Sequence, residues 1–441
     1  GGLFLVRSNR DAVALGTVYL AALFGISAKL VFPGAGGVGT PAMAVAIVAA
    51  WWWWMAKANS DIRSDTGFNP VRVALICYLW IVAFNWGISR VRPLSALEAN
   101  GSNRALITAI ALAGLALLIC DGVRDRPRLE TFLKRVVVAG ALLSVVAILQ
   151  FAGAVDVETL ARIPGLVAND EIGSLANRAG LNRAEGTTLH SIELSAVLAM
   201  IAPLAVHFAM RGKDQKERRR YMIMALVIGA GVPLSVSRTG LLALVVGLLV
   251  TSVAWTWRQR WSGFAVAGVA AVLLGLAIPG LVGTFRWFIF NAGNDTSVTA
   301  RVDRLPRALD EISKNPWFGS GVGTFSADED FLLDNQVLET LIEMGVIGTL
   351  VVLGLIGTAI TMCVLTYRRA SDEDVRRLSM AVCAMVVVLP VVMTTFDAFF
   401  YHILMGVSFL MIGASGALWR IAVRDAATAK ATFVQRQAAV R

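Results

Sequence analysis

The chain has 441 residues, 57% of them hydrophobic and only 16% charged, with a mean hydropathy of +0.68 and a formal net charge of +10. A soluble protein of this size carries about 25% charged residues, so a soluble globular domain is excluded. The positive charge does not call for a nucleic-acid partner, because in a membrane protein Lys and Arg collect in cytoplasmic loops.

Apolar runs of about 17–25 residues recur along the chain, each long enough for a hydrocarbon core of about 30 Å. They are continuous rather than alternating, which argues against a closed barrel. The expected fold is all-α: a polytopic integral membrane protein with about twelve transmembrane helices and a large external loop containing short helices. The expected spans are 12–32, 40–56, 73–89, 105–121, 135–154, 188–210, 221–235, 240–257, 263–283, 345–367, 378–394 and 401–419. The first run is followed directly by a second, so it reads as a span rather than a cleavable leader. By organisation, 1–283 holds spans one to nine with an external loop at 155–187. Residues 284–344 form the large external loop, 345–419 hold the last three spans, and 420–441 form a cytoplasmic tail.

Twelve spans put both termini on one side. By these boundaries that side carries 26 of the 40 Lys and Arg, the other side 12, and Lys29 and Arg135 fall within spans. The terminal side is therefore expected to be cytoplasmic. Trp51–Trp54 reads as an interfacial aromatic belt at the end of the second span. Cys77, Cys120, Cys363 and Cys383 fall in or beside apolar runs, lack metal-ligand spacing and read as small buried hydrophobes.

Between the seventh and eighth spans lies Pro233-Leu-Ser235-Val-Ser237-Arg238-Thr-Gly240. Pro and Gly bracket polar residues between apolar stretches, which predicts a tight break at the external face. An arginine at membrane depth is costly unless paired or facing a watery cavity, so Arg238 is a functional candidate. The most polar stretch is 299–348. Its first part predicts a helix over 299–314 with Val302, Leu305, Leu309 and Ile312 as an apolar face. Asp295, Ser297 or Thr299 would cap it, and Arg301, Arg304 and Arg307 lie in its first half. Asn315-Pro316 ends it. The glycines 319, 321 and 323 lack the Lys-Ser/Thr of a phosphate-binding P-loop. They can form a flexible connector or present backbone N–H groups to an anion. Asp334-Asn335-Gln336 opens a further helical run into the tenth span, where Asp334 is either an N-cap or a general base. Arg238 and Arg301 have the planar guanidinium that suits a pyrophosphate. From Thr284 to Val337 there are five Lys and Arg against eight Asp and Glu, so this is no generic anion-binding patch.

In order, these pieces form a series. Arg183-x-x-Gly186-Thr187-x-x-His190 enters the sixth span, and Ser235-x-Ser237-Arg238 follows at the break. Ser297-x-x-x-Arg301 lies in the long loop, followed by Asn315-Pro316-x-x-Gly319-x-Gly321-x-Gly323-x-Phe325. Asp334-Asn335-x-x-Leu338-x-x-x-x-Glu343-x-Gly345-x-x-Gly348 closes the series. The ordered set resembles the O-antigen ligase superfamily, which includes O-antigen polymerases. The resemblance implies glycan transfer from undecaprenyl diphosphate to an acceptor hydroxyl at the external face of a bacterial inner membrane. It implies no cofactor and no metal. The implied partners are a polyprenyl-diphosphate-linked donor, a glycan or glycolipid acceptor and the lipid bilayer. It also implies diphosphate binding by Arg238 and Arg301, with Arg183, His190, Ser237, Arg304, Asn335 and Glu343 as further substrate-binding candidates. Ligases of this superfamily place a histidine where this chain has Asp334, which makes Asp334 the expected base. A transporter or flippase is the competing class. It would call for charged residues within the spans and helices broken at mid-membrane, whereas here the charges concentrate at span ends.

Overall fold

The computed structural model describes residues 11–58, 67–155, 163–169, 177–178, 181–278, 283, 296–326 and 331–439. Thirteen helices lie among them, and all but the tenth correspond one to one with the twelve expected spans. They are α1 (Asp11–Gly25), α2 (Pro41–Ala58), α3 (Pro70–Ser89), α4 (Ala96–Gly122), α5 (Arg126–Phe151) and α6 (Ser191–Arg211). Then follow α7 (Gln215–Leu234), α8 (Arg238–Ser252), α9 (Trp257–Ala277), the amphipathic α10 (Thr296–Lys314), α11 (Gln336–Arg369), α12 (Glu373–Met393) and α13 (His402–Ala439). Eight of these are long and apolar enough to cross a membrane, namely α3 to α6, α9 and α11 to α13, while α1 and α8 are shorter apolar helices. The chain is an all-α polytopic membrane protein.

Several helices start earlier than hydropathy predicts, because polar caps extend them. Ser95 and Glu98 form a reciprocal capping box that starts α4 at Ala96 rather than at 105. Asp125 accepts from the Arg128 N–H and starts α5 at Arg126 rather than at 135. The first span is corrected in the opposite direction. Helix α1 stops at Gly25, and Leu30–Val31 (β1) pairs antiparallel with Val167–Ala168 (β2). Lys29 therefore lies in a loop, not in a span. A second short pair joins Asn177–Arg178 (β3) to Leu181–Asn182 (β4).

Helix α6 forms the centre of the bundle: Leu194 and Ala196 to Ile201 are fully buried. Its small residues let α8 approach so closely that a Cβ on Gly240 would sit 2.3 Å from that of Ser195. By contrast, no residue of α9 is buried.

The helices end in two polar layers. One layer is laced by ion pairs: Asp121 with Lys57 and Arg72, each near 3 Å, Lys134 with Glu217, and Arg211 with Asp374. Trp53 of the tryptophan run donates to Asp121 at 3.1 Å. The other layer gathers the start of α6, the α7–α8 break, α10, the start of α11 and the α12–α13 connection. The motif residues lie in this second layer.

Candidate active site

The loop before α6 is rigidly held. Gln150 Oε1 accepts from the N–H groups of Glu185 and Gly186, at 2.9 and 2.7 Å, and Thr187 donates to Phe24 O. Lys29 and Glu185 form a buried ion pair at 3.0 Å. Arg183 is buried, and its Nε donates to the carbonyl of Ser235 at 3.0 Å. This bond ties the first motif to the second.

His190 is the N-cap of α6, with Nδ1 accepting from the Ile192 N–H at 3.1 Å. Its one free ring position is therefore Nε2, which in the neutral imidazole carries the proton and donates. Burial, reinforced by the charges of Arg183 and Lys29, lowers the imidazole to about 4. A depressed folded pKa means that its stabilising contribution is complete above the ordinary value of 6.5 and is lost as pH falls toward 4. Asn caps as well as His but does not titrate. Wild type is thus expected to lose melting temperature relative to His190→Asn between pH 6.5 and pH 4. Parallel curves from thermal scans of purified protein would refute the assignment.

The predicted break between the seventh and eighth spans is present. Ser235 caps the end of α7, Ser237 caps α8 by accepting from Gly240 N–H at 3.4 Å, and Arg238 is the first residue of α8, half-buried. Between the two caps, fully buried Val236 takes φ 52°. A β-branched residue in the left-handed region is strained, and such strain marks functional turns. Ser237, expected among the substrate-binding residues, is 3% exposed and serves the helix terminus.

Helix α10 forms as predicted but presents a different face. Ala308 is buried with Leu333 and Ile342, and Ile312 packs against them, whereas Leu305 and Leu309 are 40% and 54% exposed. Arg304 Nη1 lies 3.4 Å from Asp334 Oδ2, with both side chains about one-third exposed, and with the helix turned this way the contact forms beside the Ala308–Leu333–Ile342 cluster. Asp295 lies outside the described residues. Arg301 lies within α10, but its side chain is outside the described residues, as are those of Ser297 and Thr299.

Asp334 is not an N-cap. Asn335 takes that role, its Oδ1 accepting from Val337 and Leu338 N–H at 3.0 and 3.2 Å, while its Nδ2 reaches Thr394 O. Asp334 sits one residue earlier at φ 54°, a left-handed turn that turns its carboxyl toward Arg304.

Helix α11 breaks inside the last motif. Gly345 has φ 64°, ψ −171°, a region essentially restricted to glycine. There the helix exchanges hydrogen bonds with the Asn315–Gly321 turn. Val346 and Ile347 N–H donate to Pro316 and Trp317 carbonyls, at 2.9 and 3.2 Å. In return, Ser320 and Gly321 N–H donate to Ile342 and Glu343 carbonyls, at 2.9 and 2.8 Å. The glycine loop is therefore neither a flexible connector nor an anion cradle at these two N–H groups. Buried Glu343 secures it further, Oε1 accepting from Phe325 N–H at 3.2 Å.

Two groups to which the sequence reading gave no role in the site hold it together. Glu193, fully buried, accepts from Leu189 N–H and from Ile403 and Leu404 N–H, joining the starts of α6 and α13. Gln336 donates its N–H to Phe396 O and accepts from Phe399 N–H, joining α11 to the α12–α13 connection. An S/T/N cap followed three residues later by Glu is a readable signal, and His190-x-x-Glu193 is a variant of it.

Fold and site together define a polytopic membrane protein with a polar, arginine- and carboxylate-bearing layer at one end of its bundle. Residues 222–353, from α7 through the first half of α11, match the family model described as O-Antigen ligase. The match covers 132 of the 441 residues, and over that stretch the chain is similar to O-antigen ligases. It covers Arg238, Arg301, Arg304, Asp334, Asn335 and Glu343, but not Arg183 or His190. No curated protein matches the chain.

Proposed function

We propose that this protein is a glycosyltransferase that moves a glycan from a polyprenyl diphosphate carrier to an acceptor hydroxyl at the external face of a bacterial inner membrane. Both termini then face the cytoplasm, in accord with the excess of Lys and Arg on their side. The observation that carries the reading is the partly exposed Asp334 carboxyl beside a guanidinium, in the same layer as the Arg183–Ser235 tie and the Arg238 break. Asp334 takes the proton from the acceptor hydroxyl. The acceptor oxygen then bonds to the anomeric carbon as the bond from that carbon to the diphosphate oxygen breaks, and a single displacement inverts the centre. The diphosphate leaves with the electron pair, its charge matched by Arg238 and Arg301. The mechanism is metal-independent.

Removing Arg238 tests this. Donors aimed at developing charge contribute about 10²–10³-fold in rate. Arg238→Ala is expected to lower transfer by at least about 10²-fold in proteoliposomes supplied with an undecaprenyl-diphosphate-linked oligosaccharide. Arg238→Lys should recover only part, since an ammonium lacks the bidentate fork. Wild-type rates in Arg238→Ala would remove Arg238 from diphosphate binding, and no transfer by the wild type would overturn the reading. Asp334 standing where ligases carry histidine favours a second reading within the superfamily, polymerisation of lipid-linked units. Ladders formed from the lipid-linked donor alone would select it over transfer to a lipid A–core oligosaccharide.

A further inference from the structure

Tyr401 lies in the connection between α12 and α13, immediately before the first residue of α13. The connection is fastened at three points. Gln336 bonds the backbone of Phe396 and Phe399, Asn335 reaches Thr394 O, and Glu193 caps Ile403 and Leu404. Two of these ties come from the residues that follow Asp334, and the third comes from the helix that follows Arg183 and His190. Tyr401 is therefore held between the two halves of the site.

Its ring is fixed edge-on against Phe396 and Phe400, with centroids 5.3 and 5.5 Å away. Its side chain is half-buried, and among the described residues its hydroxyl makes no hydrogen bond. The charges of Glu193, Asp397, Asp334 and Arg183 all act on the phenol, and burial together with the three carboxyl groups raises its pKa. The group is thus a protonated O–H that can donate to one partner and accept from another.

The surroundings select that partner. The net charge of these groups acting on the phenol is negative, so they disfavour a phosphate oxygen. They suit a neutral sugar hydroxyl, which accepts from the phenol while donating to a carboxylate. Exposed Phe400 (66% exposed) adds an apolar surface beside it, and sites that pair aromatic faces with a few placed polar groups fit such ligands.

We propose that Tyr401 contacts the acceptor sugar, donating to a hydroxyl of the ring whose neighbouring hydroxyl is deprotonated by Asp334. The inference rests on the glycosyltransferase reading and deepens it, assigning the α12–α13 connection to acceptor selection.

Tyr401→Phe keeps the ring and its packing. The assay uses undecaprenyl diphosphate carrying a repeat-unit oligosaccharide as donor. The acceptor is either a lipid A–core oligosaccharide or a second donor molecule, whichever the wild type extends. The expected result is a rise in acceptor KM of roughly three- to tenfold, the usual weight of one neutral hydrogen bond. Donor KM and melting temperature should not change. An unchanged acceptor KM, or an equal rise in both KM values, would overturn the proposal. Arg238→Ala, run alongside, separates the two failures. If it abolishes transfer while Tyr401→Phe behaves as wild type, only the role of Tyr401 falls. If wild type transfers no glycan at all, the transferase reading falls and the acceptor assignment with it.

Discussion

Asp334→Asn is expected to lower glycan transfer by about 10²–10⁴-fold, the usual contribution of a positioned general base, with little change in stability. The backbone explains why Asn is the informative variant. Asp334 sits at φ 54°, and outside glycine that region is tolerated chiefly by Asn, Asp and His. Asn keeps the turn and the partner for Arg304 but cannot take a proton, whereas Ala would strain the turn and confuse base loss with misfolding. The same geometry accounts for the residue that ligases of this superfamily carry here, since His also accepts the left-handed turn. Asp334→His should therefore recover much of the activity lost in Asp334→Asn. The acidic limb of its pH–rate profile should move to higher pH, because an imidazole binds its proton at higher pH than a carboxylate does. Wild-type rates in Asp334→Asn would remove Asp334 from the chemistry. A His variant with an unshifted acidic limb would assign that limb to another group. Arg304→Gln should have a smaller effect than Asp334→Asn, because Arg304 orients the carboxyl and takes no proton.

A helix at each of the twelve expected spans was legible because an apolar run of membrane length has few other meanings, although only eight of those helices are long and apolar enough to cross a membrane. The ends were less so. Residues 96–104 and 126–134 are too polar to register in hydropathy, yet Ser95, Glu98 and Asp125 wind them into helix by capping. The rotation of α10 was misread for a related reason. Leu305 and Leu309 make an apolar stripe that a water-soluble protein would bury, but in a membrane protein an outward-facing leucine can gain as much from lipid. The face turned inward is the one that carries Ala308 and Ile312 against Leu333 and Ile342 and brings Arg304 to Asp334. At the site, chemistry-bearing residues were visible singly, as Arg238 at its break and Asp334 before its helix. The ties among them join residues far apart in sequence: Arg183 to Ser235, Glu193 to Ile403, Gln336 to Phe399. Spacing along one chain carries no trace of such partners, and Tyr401, placed only by those ties, was passed over.

The glycine series has a meaning that spacing alone did not supply, and Gly345→Ala is expected to show it. At φ 64°, ψ −171° an alanine is held in a region essentially reserved for glycine. Its Cβ would also stand 2.3 Å from the carbonyl carbon of Trp317 and 2.4 Å from the nitrogen of Phe318. Those are backbone atoms and cannot move aside as a side-chain tip can. Strain and overlap together should cost about 3 kcal/mol or more. Gly319 faces the same break from the other side, where a Cβ would stand 2.3 Å from the backbone of Glu343. The exchange of four hydrogen bonds between this turn and α11 works only while both backbones touch. Opening it would shift the short arm of α11 that carries Asn335, and with it the turn that holds Asp334. Gly345→Ala should therefore lower the melting temperature by several degrees and reduce transfer in the fraction that remains folded. Gly354→Ala, in the same helix and with nothing within 4 Å of an added Cβ, should leave both unchanged. A Gly345→Ala protein as stable and active as Gly354→Ala would show that the break in α11 does not position the site.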